Sequence, residues 1–526
     1  MQRWTFMTLP NEIKEEKLKE KTETEEELKV PILEESYPLI PPFAYAQIKT
    51  DPKTRRTMYH VIEVPLKKKE STVVNIIKQK MIENIDIIFG ELQEEDEKME
   101  YLREKIETIW KKEKIEIDHD ESFDKVLYYV SRDFIGFGRL EPLLRDQTIE
   151  DISCDGVGIP IYIWHRKYES VPTNLIFRNE EELNGTITKI AQRSGRHISI
   201  ANPILDASLP DGSRVQLTYG KEVTQRGSTF TIRKFRADPL TITDLLQFNT
   251  LNTDMAAYLW YLIENRHSAL IAGGIASGKT TLLNTLSMFI RPGLKIVTIE
   301  DTAELNIPHE NVISSIARTG LGAEEDGLKR GSVTLFDLLK ASLRQRPDFI
   351  IVGEIRGQEA YFLFQAMATG HLGMATMHGD SVSSVIHRLE SKPMNIPRTM
   401  LTSLDTVCVQ RKVRYGGVHI RRSIDIQEMV GMDAVTNELL TNKVYTWNAK
   451  NDSFDYLGRS VKLEQIAEHS GMTLDDLWHE IDKRKVVLGY MLKKGIRFYQ
   501  DVASTIRGFY NNPDRMYRKA KRALGL

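Results

Sequence analysis

One loop in this chain has residue types and spacing suited to phosphate. In IAGGIASGKTT, residues 271 to 281, Gly273, Gly278, Lys279 and Thr280 fall in the pattern G-x-x-x-x-G-K-[ST]. The glycines permit a tight backbone whose successive N–H groups form an anion cradle, and the helix that opens behind it turns its positive dipole end to the same point. Gly273, Gly274, Ile275, Ala276, Ser277, Gly278, Lys279, Thr280 and Thr281 are therefore the expected nucleotide-phosphate loop, with Lys279 on the β- and γ-phosphates and the Thr280 hydroxyl on Mg²⁺. The flanks agree, since SALIAG reads as a buried strand and TTLLNTL as a helix.

Such a loop needs carboxylates on neighbouring strand ends. RPDFIIVGEIRGQEA supplies an apolar strand, Phe349 to Val352, that delivers Glu354 at its C-terminal end, where ligands of open α/β sheets collect. KIVTIEDTAEL supplies another, ending in Glu300 and Asp301, with Glu304 one turn on. Carboxylates from two adjacent strand ends can hold Mg²⁺ and orient a water together, so Glu300, Asp301 and Glu354 join Thr280 as candidate metal ligands, direct or through water. In ATGHLGMATMHGDS, His371 follows a helix and His378 ends a strand; either is a candidate to sense the γ-phosphate or to meet a neighbouring subunit.

The elements that must position these groups fall into blocks. Residues 1–44 are charged and then proline-punctuated and read as a flexible extension; 45–117 read as a small α+β domain and 118–236 as a second α+β unit. Residues 237–244 form a linker ending in a Thr-capped helix. From 245 to 411 short buried strands alternate with helices, which implies a parallel sheet covered on both faces, and 412–526 reads as mainly helical, ending on the basic RMYRKAKRAL. With 526 residues and 41% hydrophobic content there is material for several cores. No run reaches the roughly 18 apolar residues of a membrane span and no signal-peptide core opens the chain, so a cytoplasmic protein with at most peripheral membrane association is expected. Two separated cysteines, Cys154 and Cys408, support neither a disulfide framework nor a thiolate zinc site. A balance of 72 Lys and Arg against 74 Asp and Glu gives no global field for nucleic acid.

The ordered set IAGGIASGKTT, TIEDTAEL, RPDFIIVGEIRG and TGHLGMATMHGDS resembles the Walker A, Asp-box, Walker B and His-box motifs of the type II and type IV secretion ATPase superfamily, and RDFIGFGRLEPLLRDQTIEDISCDG, LPDGSRVQL and STFTIRKF resemble its N-terminal ATPase-associated domain. The likeness covers roughly residues 120–410. It implies a RecA-like P-loop domain after an α+β N-terminal domain, assembly as a homo-hexamer, hydrolysis of ATP with Mg²⁺, and action on a polytopic membrane platform protein and, through it, on pilin-like subunits. It also assigns Arg214 and Arg233 to the γ-phosphate, beside Glu354, Glu300 and His378 as catalytic residues, and makes Arg344 and Arg356 weaker candidates for contacts between subunits. The four-cysteine zinc module of many bacterial members is absent from the sequence, so no zinc is expected, and the charged N-terminal extension looks most like the archaeal branch that drives pili and archaella. The competing expectations are a hexameric nucleic-acid translocase of conjugative type, for which HIRRS and RMYRKAKRAL offer two short basic stretches, and a non-motor nucleotide switch.

Overall fold

The computed structural model describes residues 34–526 except 52, 53, 55, 85–93, 116, 118, 236, 237, 319–323, 326, 327 and 330. Most of the expected extension, residues 1–33, thus lies outside the described residues, whereas its last part, Glu34–Ile40, is a strand paired antiparallel with Ala44–Thr50. The chain divides into two compact units, one within Met1–Thr186 and Thr224–Thr229, the other comprising Ile187–Val223 and Phe230–Leu526.

In the first unit six strands lie in the order Glu34–Ile40, Ala44–Thr50, Thr57–Glu63, Glu169–Ile176, Pro160–His165, Ile149–Cys154. Strands from both sides of the boundary expected at residue 117 share this sheet, joined where Tyr59 faces Thr173. Asp146 anchors one edge, its Oδ2 accepting from the hydroxyls of Tyr37 at 2.8 Å and Tyr59 at 2.6 Å. Three helices, Lys68–Asn84, Glu95–Lys112 and His119–Phe134, close over a core that includes Ile77, Leu102, Ile106 and Val126.

The second unit is built on nine strands in the order Val312–Ile316, Ile296–Glu300, Phe349–Val352, Leu372–His378, Ala269–Gly273, Thr406–Tyr415, Val418–Met432, Leu439–Asn448, Ser453–Tyr456. The first six run parallel, as expected for a RecA-like domain. Successive residues point to opposite faces of a strand, and both faces are covered. Ile271, Phe349, Ile351 and Met374 pack under the helices Thr253–Glu264 and Lys279–Ser287 together with the C-terminal helices. Leu270, Ala272, Ile350, Val352 and Met377 pack under the helices Leu335–Ser342, Glu359–Ala368 and Val382–Glu390. Burial on both sides explains why ALIAG and FIIV read as unbroken apolar runs.

The last three strands fold back antiparallel as a meander spanning residues 418–456. The helical C-terminal region expected after residue 411 begins beyond this meander, at Val461. Its helices Val461–Ser470, Leu474–Lys494, Tyr499–Asn511 and Pro513–Leu524 pack on the same side of the sheet as the helix Thr253–Glu264, which carries Trp260. There the Trp260 and Phe289 rings stack with centroids 4.9 Å apart, and the Trp260 indole N–H donates to the Tyr510 hydroxyl at 2.8 Å. The short helix Ile242–Gln247 stands behind Thr241, whose backbone N–H donates to Asp244 at 3.0 Å, so the linker does end in a capped helix.

Candidate functional site

Register gathers the candidate residues. Gly273, the last residue of its strand, lies level with His378 on one side and Gln410 on the other, and Ile299 lies level with Val352. The C-terminal ends of four parallel strands therefore share one edge of the sheet, the edge at which Glu300, Glu354, His378 and the glycine-rich loop all emerge. His371 does not join them. It precedes the seven-residue strand that His378 ends, which at about 3.3 Å per residue puts it about 23 Å away at the opposite edge. Arg344, in the turn Leu343–Gln345 before the Phe349–Val352 strand, is at that far edge as well.

The loop has the backbone its sequence requires. Gly278 has φ +93° as the residue before the helix Lys279–Ser287, and Ala276 is held at φ +55°. A side chain at Gly273 would place its Cβ 2.4 Å from the Gln410 carbonyl oxygen and 2.5 Å from Ser277 Oγ, while Gly274 faces open space. Ser277 Oγ and Lys279 Nζ both donate to the Gly274 carbonyl, each at 2.9 Å, which turns that carbonyl aside and leaves the N–H groups of the loop for an anion. Burial pulls the Lys279 ammonium below its ordinary range, against the nearby Glu354 carboxylate, which raises it. A cation that has lost water without gaining a full partner is what a phosphate would stabilise.

His378 joins the loop to Glu354. Its Nδ1 lies 3.4 Å from Lys279 Nζ and its Nε2 lies 3.0 Å from Glu354 Oε1. The first is a hydrogen bond in which Nδ1 can accept from Lys279, whereas the second is a close charge contact, since Glu354 Oε1 is buried without a hydrogen-bond partner among the described residues. Burial would push the Glu354 carboxyl up, but the Arg356 guanidinium on its other oxygen, with His378 and Lys279 beside it, holds it below the ordinary range. Glu354 is thus kept ionised, the form needed to orient and deprotonate a water.

Glu300 behaves differently. It is 3% exposed, and its Oε1 accepts from the backbone N–H groups of Glu304 at 2.9 Å and Leu305 at 3.0 Å. Burial outweighs those bonds and pushes its carboxyl up to about 7. Asp301 is also raised by burial, with Arg356 4.0 Å away acting in the opposite sense. Arg214 lies 3.6 Å from Glu304, so the second unit itself brings one of the two expected arginines to the Asp-box loop. Arg233 is the exposed last residue of the strand Thr229–Arg233.

The cradle of Ala276, Gly278 and Lys279 suits a nucleotide phosphate. Among the described residues no group of three or more His, Cys, Asp and Glu side chains could hold a metal ion unaided. Mg²⁺ commonly takes one or two carboxylates and completes its shell with phosphate oxygens and water. Thr280 and Glu354 stand at the edge where such a shared site would form, with Arg356 on one Glu354 oxygen, and Glu300 gives one oxygen to its own loop.

Two contributors were not assigned from the sequence. Arg421, from the meander, donates through Nε to the Ala276 carbonyl at 2.9 Å, and Gln410 props Gly273 from the adjoining strand. The sequence marked Arg421 only as part of the basic run HIRRS, because its approach to the loop depends on a strand pairing more than a hundred residues downstream.

The chain is similar to known proteins over much of its length. Residues 136–468 match the family described as Type II/IV secretion system protein. The chain is 39% identical over 401 residues to the uncharacterized protein MJ0900 of Methanocaldococcus jannaschii, covering 76% of this chain and 71% of that one. It is 30% identical over 332 residues to the type IV secretion system protein PtlH of Bordetella pertussis, covering 56% of this chain and 94% of PtlH. Among solved structures it is similar to the VirB11 ATPase of the Brucella suis type IV secretion system, at 24% identity over 55% of this chain and 95% of that one, with a TM-score of 0.27. No helix among the described residues is long and apolar enough to cross a membrane.

Proposed function

Because the chain belongs to the type II/IV secretion system protein family, we propose that it is an ATPase that works from the inner face of a membrane, hydrolysing ATP to drive assembly of a type IV pilus-like filament, an archaeal pilus or archaellum, or type II-like secretion through a polytopic platform protein. The observation that carries the catalytic part is the path from Lys279 through His378 to Glu354, which ties phosphate binding to an ionised carboxylate.

In this reading the loop 273–281 binds the phosphates and Lys279 neutralises the β- and γ-phosphates. Glu354 orients the attacking water and takes its proton, while His378 reports the state of the loop to it. Thr280 and Glu354, directly or through water, would hold Mg²⁺ beside the phosphates, and the ion would supply further charge neutralisation. Arg214 and Arg233 add positive charge at the transferring phosphoryl group. Six copies form a ring, with hydrolysis coupled to motion of the N-terminal part against the RecA-like part.

The conjugative alternative requires a basic path for nucleic acid. HIRRS does not supply one, since Arg421 bonds the loop and Arg422 is buried against Asp452. The test is ATP turnover by the purified protein with and without DNA, and with membranes that contain a candidate platform protein. Turnover abolished in Lys279→Ala and stimulated by the platform supports the proposal. Stimulation by DNA that falls steeply with salt would instead support translocation.

A further inference from the structure

We infer that Arg421 is a nucleotide-positioning residue, by which the antiparallel meander holds the phosphate loop in its anion-binding shape; the inference rests on the nucleotide-binding reading above. Three observations meet at this residue. Its Nε donates to the carbonyl of Ala276 at 2.9 Å, and Ala276 is a non-glycine residue at φ +55°, a conformation that costs an L-residue free energy and persists where neighbours hold it. Its aliphatic stem lies along the other special residue of the loop, since a Cβ at Gly278 would stand 3.5 Å from Arg421 Cδ. Among the described residues the guanidinium Nη atoms bond nothing, so a positive charge with donors to spare stands at the rim of a cradle made for anions.

The support behind Arg421 is rigid. The next residue, Arg422, is 4% exposed, and its guanidinium donates to Asp452 at 2.7 and 2.6 Å and to the carbonyl of Arg421 itself at 2.9 Å. Arg422 together with the Trp447 and Asn249 hydrogen bonds holds the Asp452 carboxyl at about 2, against the effect of burial. The meander also braces the loop from below, because Ser423 bonds the side chain of Gln410, whose carbonyl lies beneath Gly273. The strand Val418–Met432 thus reaches the loop at two points, through Arg421 at its side and through Gln410 at its base. An arginine suits the lateral contact better than a lysine, since Nε can fix the carbonyl while the Nη pair remains available to a phosphate.

The experiment is equilibrium binding of fluorescent ATP and ADP analogues, together with steady-state ATP turnover, for the full chain and for Arg421→Ala, Arg421→Lys, His419→Ala and Lys279→Ala. We expect Arg421→Ala to weaken both nucleotides about tenfold and to raise KM by a similar factor, with kcat at saturating ATP within about twofold. Arg421→Lys should recover only part of the loss, and His419→Ala, on the same strand, should change nothing. Unchanged nucleotide affinity in a folded Arg421→Ala protein, full recovery with lysine, or an equal loss in His419→Ala would each overturn the inference. If Arg421→Ala does not fold, Arg421→Lys carries the test, and native affinity in it overturns the inference. A native chain that binds nucleotide no better than Lys279→Ala would refute the nucleotide reading itself, a result separable from any behaviour of Arg421.

Discussion

Glu300 allows a quantitative test that needs neither substrate nor partner. Its carboxyl ionises near pH 7 in the folded chain rather than at the ordinary 4.5, because burial removes water and only one oxygen is hydrogen-bonded to the loop behind it. Between those two values the folded state retains a proton that the unfolded state has released, so stability falls as pH rises through the window and is level above it. At about 1.4 kcal/mol for each pH unit separating the two ionisations, the loss approaches about 3 kcal/mol for this side chain. Glu300→Gln retains an oxygen to accept from Glu304 and Leu305 and cannot ionise. The variant should match the native protein near pH 4.5 and gain on it steadily up to pH 7, by as much as about 3 kcal/mol. Urea unfolding of both proteins from pH 4.5 to 8.5, in EDTA and without nucleotide, followed by fluorescence, measures the difference at each pH. A difference that stays constant across the window, or that shrinks as pH rises, would refute the argument that burial controls this carboxyl.

Two further predictions concern the loop and the arginine. Gly273→Ala puts a Cβ 2.4 Å from a backbone carbonyl, and overpacking of that kind costs about 1–3 kcal/mol, so ATP affinity should fall about tenfold or more by equilibrium binding; native affinity would show that the loop can give way. Arg214→Ala removes an ion pair 3.6 Å long that is over a third exposed, so the melting temperature should hardly move, while kcat should drop at least about a hundredfold if the guanidinium serves the phosphoryl group. A kcat within threefold of native would remove Arg214 from that role.

The parallel half of the second unit was legible because its central strands are buried on both faces and lead into chemically distinctive residues. ALIAG, IVTIE and FIIV are short, apolar apart from Thr298 and the terminal Glu300, and separated by helices. The meander was not legible in the same way. VHIRRSIDIQEMVGM mixes charges with apolar residues over fifteen positions, and its pairing with Thr406–Tyr415 shifts register between Val409 and Gln410, so no clean two-residue period survives. The two histidines of ATGHLGMATMHGDS are close in sequence, yet only His378 reaches the loop, because the strand between them carries the chain from one edge of the sheet to the other. Glu300 and Glu354 are similarly placed at strand ends and read alike in the sequence. What separates them is an arginine on one and two backbone N–H groups on the other, which depends on loop conformation rather than on spacing.

Glu354→Gln tests most directly the proposal that Glu354 is the carboxylate that activates water for ATP hydrolysis. The substitution is nearly isosteric and keeps one oxygen that can still accept from Arg356, so the loop and its nucleotide affinity should be preserved. Nucleotide binding and single-turnover hydrolysis measured on the same homogeneous preparation should give a dissociation constant for ATP within about threefold of native and a hydrolysis rate lower by about 10²–10⁴-fold. Native-like hydrolysis by that preparation would contradict the central claim and move the search for the base elsewhere on the strand edge.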